Sequence, residues 1–151
     1  MENRVVGHYL DGRLVKGLSF DFSPVKPVCR IHTQTDSTVP VRLADLKALF
    51  LVKDLKGNPE YREGKTLSPN DPRRIGAWPL EVRFRDGETM IGLAPAYSAD
   101  RPFFFLLPAD PKSNNTRVLV NRAAVVSVKE GPATGPAAGP RSPGGAPLRV
   151  S

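Results

Sequence analysis

The sequence predicts a mostly β protein built from two copies of one small unit, and three observations carry the prediction. The first is an internal repeat. Tyr9-Leu10-Asp11-Gly12-Arg13-Leu14-Val15-Lys16-Gly17-Leu18 returns as Phe84-Arg85-Asp86-Gly87-Glu88-Thr89-Met90-Ile91-Gly92-Leu93, at a constant offset of 75. The same offset carries Phe22-Ser23 onto Tyr97-Ser98 and Lys26-Pro27 onto Arg101-Pro102. The second is period-two alternation: Leu80, Val82 and Phe84 face one way, Glu81, Arg83 and Arg85 the other, the pattern of a strand with one face in a core and one in water. The third is the pair of Asp-Gly turns, which supply the positive-φ positions of a two-residue hairpin turn.

Taken in order, the first copy starts with a strand through Val5, Gly7 and Tyr9, turns at Asp11-Gly12 and returns through Gly17. Gly17 and Gly92 each lie five residues past a turn glycine, where a missing Cβ permits a sharp bend. Strands bent in this way can curl into a barrel. A proline-marked bend leads to a third strand, Val28 to Thr33 or Phe103 to Leu107. The run Phe103-Phe104-Phe105-Leu106-Leu107 lacks alternation and reads as buried on both faces, its outer face against the other copy. Gln34 to Ser37 loops to a strand at Val39 to Leu43; the longer Pro108 to Asn115 loops to one at Arg117 to Val120. Val41-Arg42-Leu43-Ala44 aligns with Val118-Leu119-Val120-Asn121 at offset 77, as a two-residue insertion requires. One helical turn is expected at Ala44-Asp45-Leu46-Lys47.

The predicted organisation is a first barrel over residues 1–52, a linker over 53–78, a second barrel over 79–130 and a tail over 131–151. Gly57-Asn58-Pro59 and Ser68-Pro69-Asn70-Asp71-Pro72 keep long elements out of the linker, whose Tyr61, Ile75 and Trp78 are expected to pack on the barrels. The tail holds five Gly and five Pro with few apolar side chains, so it cannot offset its ordering entropy and is expected to be disordered.

The string hydrophobic-x-hydrophobic-x-Asp-Gly, four residues, Gly and an aromatic-Ser bend resembles the first motif of the Sm and Sm-like small β-barrels, in both copies. The stretch from Tyr97 to Leu106, with Pro108 to Asn115, further resembles an uncharacterised bacterial family of such tandem proteins. The resemblance implies two Sm-like small β-barrels in tandem, joined by the Pro/Gly-containing linker. Sm-like proteins bind single-stranded RNA through an Asp and an Asn after the first motif and an Arg-Gly near the second. Here Asp100 stands near the first position with no Asn after it, and Asn121-Arg122-Ala123 replaces the second motif, so RNA binding does not carry over with the fold.

Chemistry is sparse. Gly57 through Gly64-Lys65-Thr66 fails as a phosphate-binding loop, because six residues and not four separate the glycines and prolines replace the helix that should follow. His8 and His32 have no ligand-spaced partners, no Gly-x-Ser-x-Gly elbow occurs, and Asp11 and Asp86 are explained as turn residues. Arg73-Arg74 beside Asp71 reads as a surface basic pair. Cys29, the sole cysteine, aligns with Phe104 and reads as a small packed side chain. No catalytic residue, metal ligand or cofactor site is expected, and no apolar run is long enough to span a membrane.

The chain has a formal charge of +7; without Arg141 and Arg149 of the acid-free tail, residues 1–130 carry 20 basic against 15 acidic side chains, a net of +5. The expected function is a non-enzymatic binding or adaptor module that holds a protein partner in a cytoplasmic regulatory complex. Its candidate site is the elaborated loop of the second copy, Asp110, Lys112, Ser113, Asn114 and Asn115, beside Arg101. The alternative is single-stranded RNA or DNA binding through Arg83, Arg85, Arg101, Lys112 and Arg117.

Overall fold

A computed structural model describes residues 3–56, 64, 67–68 and 70–130. The expectations for Tyr61, for Gly57 to Pro59 and for the 131–151 tail fall outside these residues. Among the described residues all regular structure is β apart from three single turns of 3₁₀ helix. The strands are β1 (Asn3–Tyr9), β2 (Leu14–Ser19), β3 (Val28–Thr33), β4 (Thr38–Arg42), β5 (Leu46–Val52), β6 (Ala77–Phe84), β7 (Thr89–Pro95), β8 (Phe103–Pro108), β9 (Asn115–Asn121) and β10 (Val125–Glu130). They form one antiparallel sheet in the order β10-β6-β7-β8-β9-β5-β1-β2-β3-β4. The sequence reading of two separate barrels is replaced by this continuous sheet. Its physical cause is the pairing of β5 with β9, Ala48 to Val120 through Leu51 to Arg117, which stitches one half to the other by backbone bonds.

The strand register extends the sequence repeat and corrects it. Gly17 pairs with Thr33 as Gly92 pairs with Pro108, and Val28 pairs with Arg42 as Phe103 pairs with Asn121. The third strands therefore keep the offset of 75 while β4 and β9 are related by 79, so the insertion before β9 is four residues and not two. The helical turn occurs at Leu43–Asp45, and its counterpart at Arg122–Ala124 keeps the same offset of 79. Position 41 thus matches 120, 40 matches 119 and 47 matches 126. The side-chain pattern alone permitted the shorter shift because Val118 and Val120 stand two residues apart in β9, so either can take the place opposite Val41.

The hairpin turns are one residue longer than a two-residue loop. Tyr9 N–H bonds Arg13 O at 2.8 Å, Gly12 N–H bonds Tyr9 O at 3.0 Å, and only Gly12 takes a positive φ, 96°. That is a three-residue loop closed by a glycine bulge, and Phe84, Gly87 and Glu88 repeat it. At Gly17 and Gly92 the neighbouring strand approaches so closely that a Cβ would lie 2.1 Å from His32 O and Leu107 O respectively. Close approach of the neighbouring backbone, and not a break in register, accounts for glycine at these two positions.

Each half borrows its core from the other. Ala48, Phe50 and Val52 of β5 pack with Leu80, Val82, Phe84, Phe104, Leu106, Val118 and Val120, whereas Leu46, Leu49 and Leu51 pack with Val5, Cys29, Ile31, Val41 and Leu119. β5 is buried along its whole length. The aromatic strand β8 alternates: Phe104 and Leu106 enter the second core while Phe103 and Phe105 pack against the first. Its outer face does meet the other half, as its composition suggests. Leu67 packs with Leu93 and Ala109, so part of the connecting segment lies on the second half. Trp78 lies within β6 and is partly exposed, and Ile75 is exposed instead of packed. Among the described residues no helix is long and apolar enough to cross a membrane.

Candidate binding surfaces

The loop between β8 and β9 carries most of the polar groups singled out in the sequence, and the fold engages them. Asp110 accepts from Gly64 N–H and Lys112 N–H, each at 2.9 Å, and the buried Ser113 hydroxyl accepts from Asn115 N–H at 2.9 Å. Asn114 accepts from Asp54 N–H at 3.0 Å and donates to Asp54 O at 2.9 Å, while Lys53 N–H bonds Asn114 O at 2.9 Å. The loop therefore fastens the two halves together. Lys112 and Arg101 expose their side chains. Asn114→Ala, which removes two bonds to the Asp54 backbone, is expected to lower stability by about 1 kcal/mol in urea unfolding.

The basic candidates lie on several elements. Arg83 is exposed on β6, and Arg85 donates to Ala123 O at 2.8 Å. Arg117 on β9 stacks over Phe105 at 4.8 Å and Phe22 at 5.8 Å. Arg122, which the sequence reading did not select, lies over Phe104 at 4.8 Å and Tyr97 at 5.2 Å, and it also donates to Arg101 O, Ser98 O and the Tyr97 hydroxyl. These stacked guanidiniums fix the aromatic layer between the halves. Asp100 meets the Ser98 hydroxyl, a contact that holds its carboxyl below the ordinary range.

A second charged group closes the junction. Lys47, with its side chain 6% exposed, reaches Asp86 Oδ2 at 2.7 Å and Glu88 Oε1, and its ammonium lies 4.7 Å from the Phe84 ring centroid. The Lys47 hydrogen bond is the first cause that lowers the Asp86 pKa below 3.8. A carboxyl with a depressed folded-state pKa stabilises the fold above its unfolded value, and that contribution is lost as pH falls through the folded one. In Lys47→Met the apolar stem remains, so stability near neutral pH should change by only about 1 kcal/mol, since both carboxylates stay half exposed to water. Unfolding curves at falling pH should show the difference between wild type and variant shrinking below pH 3.8.

The side of the first half beyond β3 is different in kind. Phe20 and Val25 are 70% and 79% exposed, and Val28 is also exposed. Val28, Lys26, Arg30, Asp21 and Pro40 line an open cavity of ≈ 340 Å³. Asp21 accepts from Arg30 N–H at 2.9 Å and Arg30 Nε at 3.2 Å, and the backbone bond foremost lowers its pKa. Lys26 and Arg42 flank this region as exposed cations, Arg42 opposite Val28 in the β3–β4 ladder. Behind it Cys29 is buried, and desolvation pushes its thiol up to about 11, which fits packing and not nucleophilic chemistry. Sequence alternation could not reveal this patch, because Phe20 and Val25 lie in an irregular segment between strands. Among the described residues no cluster of three His, Cys, Asp or Glu could hold a metal ion.

A family model covering residues 1–130 matches the chain and is described as a family of unknown function (DUF6982). The chain belongs to DUF6982. The match spans both halves and every strand of the sheet, so the ten-stranded unit and the family's extent coincide. No curated protein and no solved structure matches it.

Proposed function

We propose that this DUF6982 chain is a non-enzymatic adaptor, a tandem pair of Sm-like small β units that holds an acidic segment of a protein partner in a cytoplasmic regulatory complex. The observation that carries the reading is the combination on the β3–β4 side of the first half. Exposed Val25 and Val28 supply apolar contact, and Lys26, Arg30 and Arg42 surround it with positive charge. Monomers seldom leave such residues together without use, and an acidic occupant complements the chain's charge of +7. The Sm-like part of the proposal rests on the repeated Asp-Gly and glycine spacing and on the matching strand order of the two halves, β5-β1-β2-β3-β4 and β10-β6-β7-β8-β9. Arg101 and the exposed Lys112 form a second, smaller candidate on the other half.

The test compares three full-length proteins of matched stability as bait in native cytosol: wild type, Val28→Asp with Lys26→Glu, and Arg101→Ala. The expected result is one stoichiometric protein retained by wild type and Arg101→Ala and lost from the double variant; a synthetic peptide of its acidic segment should bind wild type with the same dependence. A partner equally retained by all three overturns the site. Tight binding of oligo-rU or oligo-dT at low salt that collapses at moderate salt overturns the protein-partner reading in favour of the nucleic-acid one.

A further inference from the structure

The junction between the halves is a head-to-tail contact: the edge of a β9-type strand meets the edge of a β5-type strand. The chain also ends in one edge of each type. Among the described residues β4, which corresponds to β9, and β10, which corresponds to β5, have no second strand partner. A contact of this kind can repeat between molecules, giving rings or filaments, unless something stops it. We infer that the outer edges carry that stop, so the junction forms once, inside the chain, and never between copies.

The hydrogen-bond phase locates the stop. Thr33 N–H bonds Ser37 O and Leu43 N–H bonds Pro27 O, so in the alternating antiparallel ladder Val39 and Val41 bond β3 while Thr38, Pro40 and Arg42 turn their backbone groups outward. On β9, Arg122 N–H bonds Pro102 O, which by the same count turns Arg117, Leu119 and Asn121 toward β5. Leu119, opposite Leu49 at the centre of the junction, corresponds to Pro40. The outer edge thus lacks a donor at the position where the inner edge has its central one, the placement by which edge strands avoid pairing.

Three further exchanges act the same way. Asn121, whose side chain donates to Leu46 O at 2.8 Å across the junction, corresponds to the exposed Arg42. Lys47 corresponds to Val126, and its acceptor Glu88 to Arg13, so a copy placed end to end would bring no ammonium and would find a cation in place of a carboxylate. Phe50, buried in the neighbouring core, corresponds to the exposed Lys129. Of these junction residues only Asp86 keeps its type at the outer end, as Asp11; Leu119, Asn121, Lys47, Glu88 and Phe50 are all replaced. Any occupant of the cavity beside Pro40 then meets side chains there and not an added strand.

Sedimentation velocity of the full chain over a hundredfold concentration range tests the inference. The expected result is a single species of 16.4 kDa throughout. In a variant with the inner residues restored at the ends, Pro40→Leu, Arg42→Asn, Val126→Lys and Arg13→Glu, self-association should strengthen at least tenfold. If circular dichroism shows that variant unfolded, Pro40→Leu alone serves, with a concentration-dependent rise in mass expected. Val128→Pro is the control, because the register turns the Val128 N–H outward and the substitution removes no bond to β6. A wild-type oligomer that Val128→Pro dissolves overturns the inference, and so does a folded restored variant that stays monomeric. An oligomer that Val128→Pro leaves intact does not use the β10 edge and so contains no head-to-tail seam, as inferred.

Discussion

Gly92→Ala should destabilise the protein by about 3 kcal/mol or more, and Gly17→Ala by a comparable amount. At Gly92 the added Cβ would meet Leu107 O at 2.1 Å, Leu107 C at 2.9 Å and a Leu106 side-chain carbon at 3.1 Å. Two of these atoms are backbone of the neighbouring strand, which pairs at Gly92–Pro108 and Leu93–Leu107, so relief requires β7 and β8 to part. Strand separation costs ladder bonds and loosens the core beneath Leu106 and Leu93, both fully buried. Gly7 is the useful control: there the nearest atom to an added Cβ is a Val15 side-chain carbon at 2.9 Å, which can shift by rotation. Urea midpoints ranked with Gly7→Ala well above Gly92→Ala support the close approach, and equal midpoints disprove it.

Phe50→Ala should cost about 3 kcal/mol and should unfold both halves together. Phe50 belongs to a strand of the first half, but its side chain lies in the core of the second with Val82, Phe84, Phe104 and Val118. The single tryptophan, Trp78, stands on β6 of the second half and reports that half's unfolding by fluorescence. The expected outcome is a lowered midpoint that is the same by Trp78 fluorescence and by far-ultraviolet circular dichroism, because coincident probes mark a single cooperative unit. A fluorescence transition unaffected by the substitution would show that the second half holds its core without β5.

Much of this architecture is legible in the residues. The Asp-Gly turns, the glycines of the return strands and the alternation of β6 are local signals, because each arises from φ, Cβ sterics or pleating within a few residues. The aromatic strand was readable in the same way, since an unbroken apolar run needs two apolar environments. β5 carries a comparable apolar run, Leu46 to Val52 interrupted by Lys47, but its position at the end of the first unit concealed that it serves two cores. Which edge meets which is a long-range matter: nothing near Leu49 specifies Leu119 as its neighbour. For the same reason Asn114 and Asp110 looked available in the loop, while their partners Asp54 and Gly64 lie 60 and 46 residues away. The exposed Phe20 and Val25 gave no periodic signal at all.

The donation of Phe50 and its neighbours to the far core bears on how the protein can be divided. A fragment beginning at residue 79 would retain Phe84, Phe104, Leu106 and Val118 but lose Ala48, Phe50 and Val52, the side chains that cover them. A fragment ending at residue 52 would keep those three with nothing beneath them and would also lose Leu119, Phe103 and Phe105 from its own core. Each piece would therefore present an open apolar face and a bare strand edge, the combination that drives aggregation. The sequence contains two copies of a unit, and with their cores shared neither copy is expected to stand without the other.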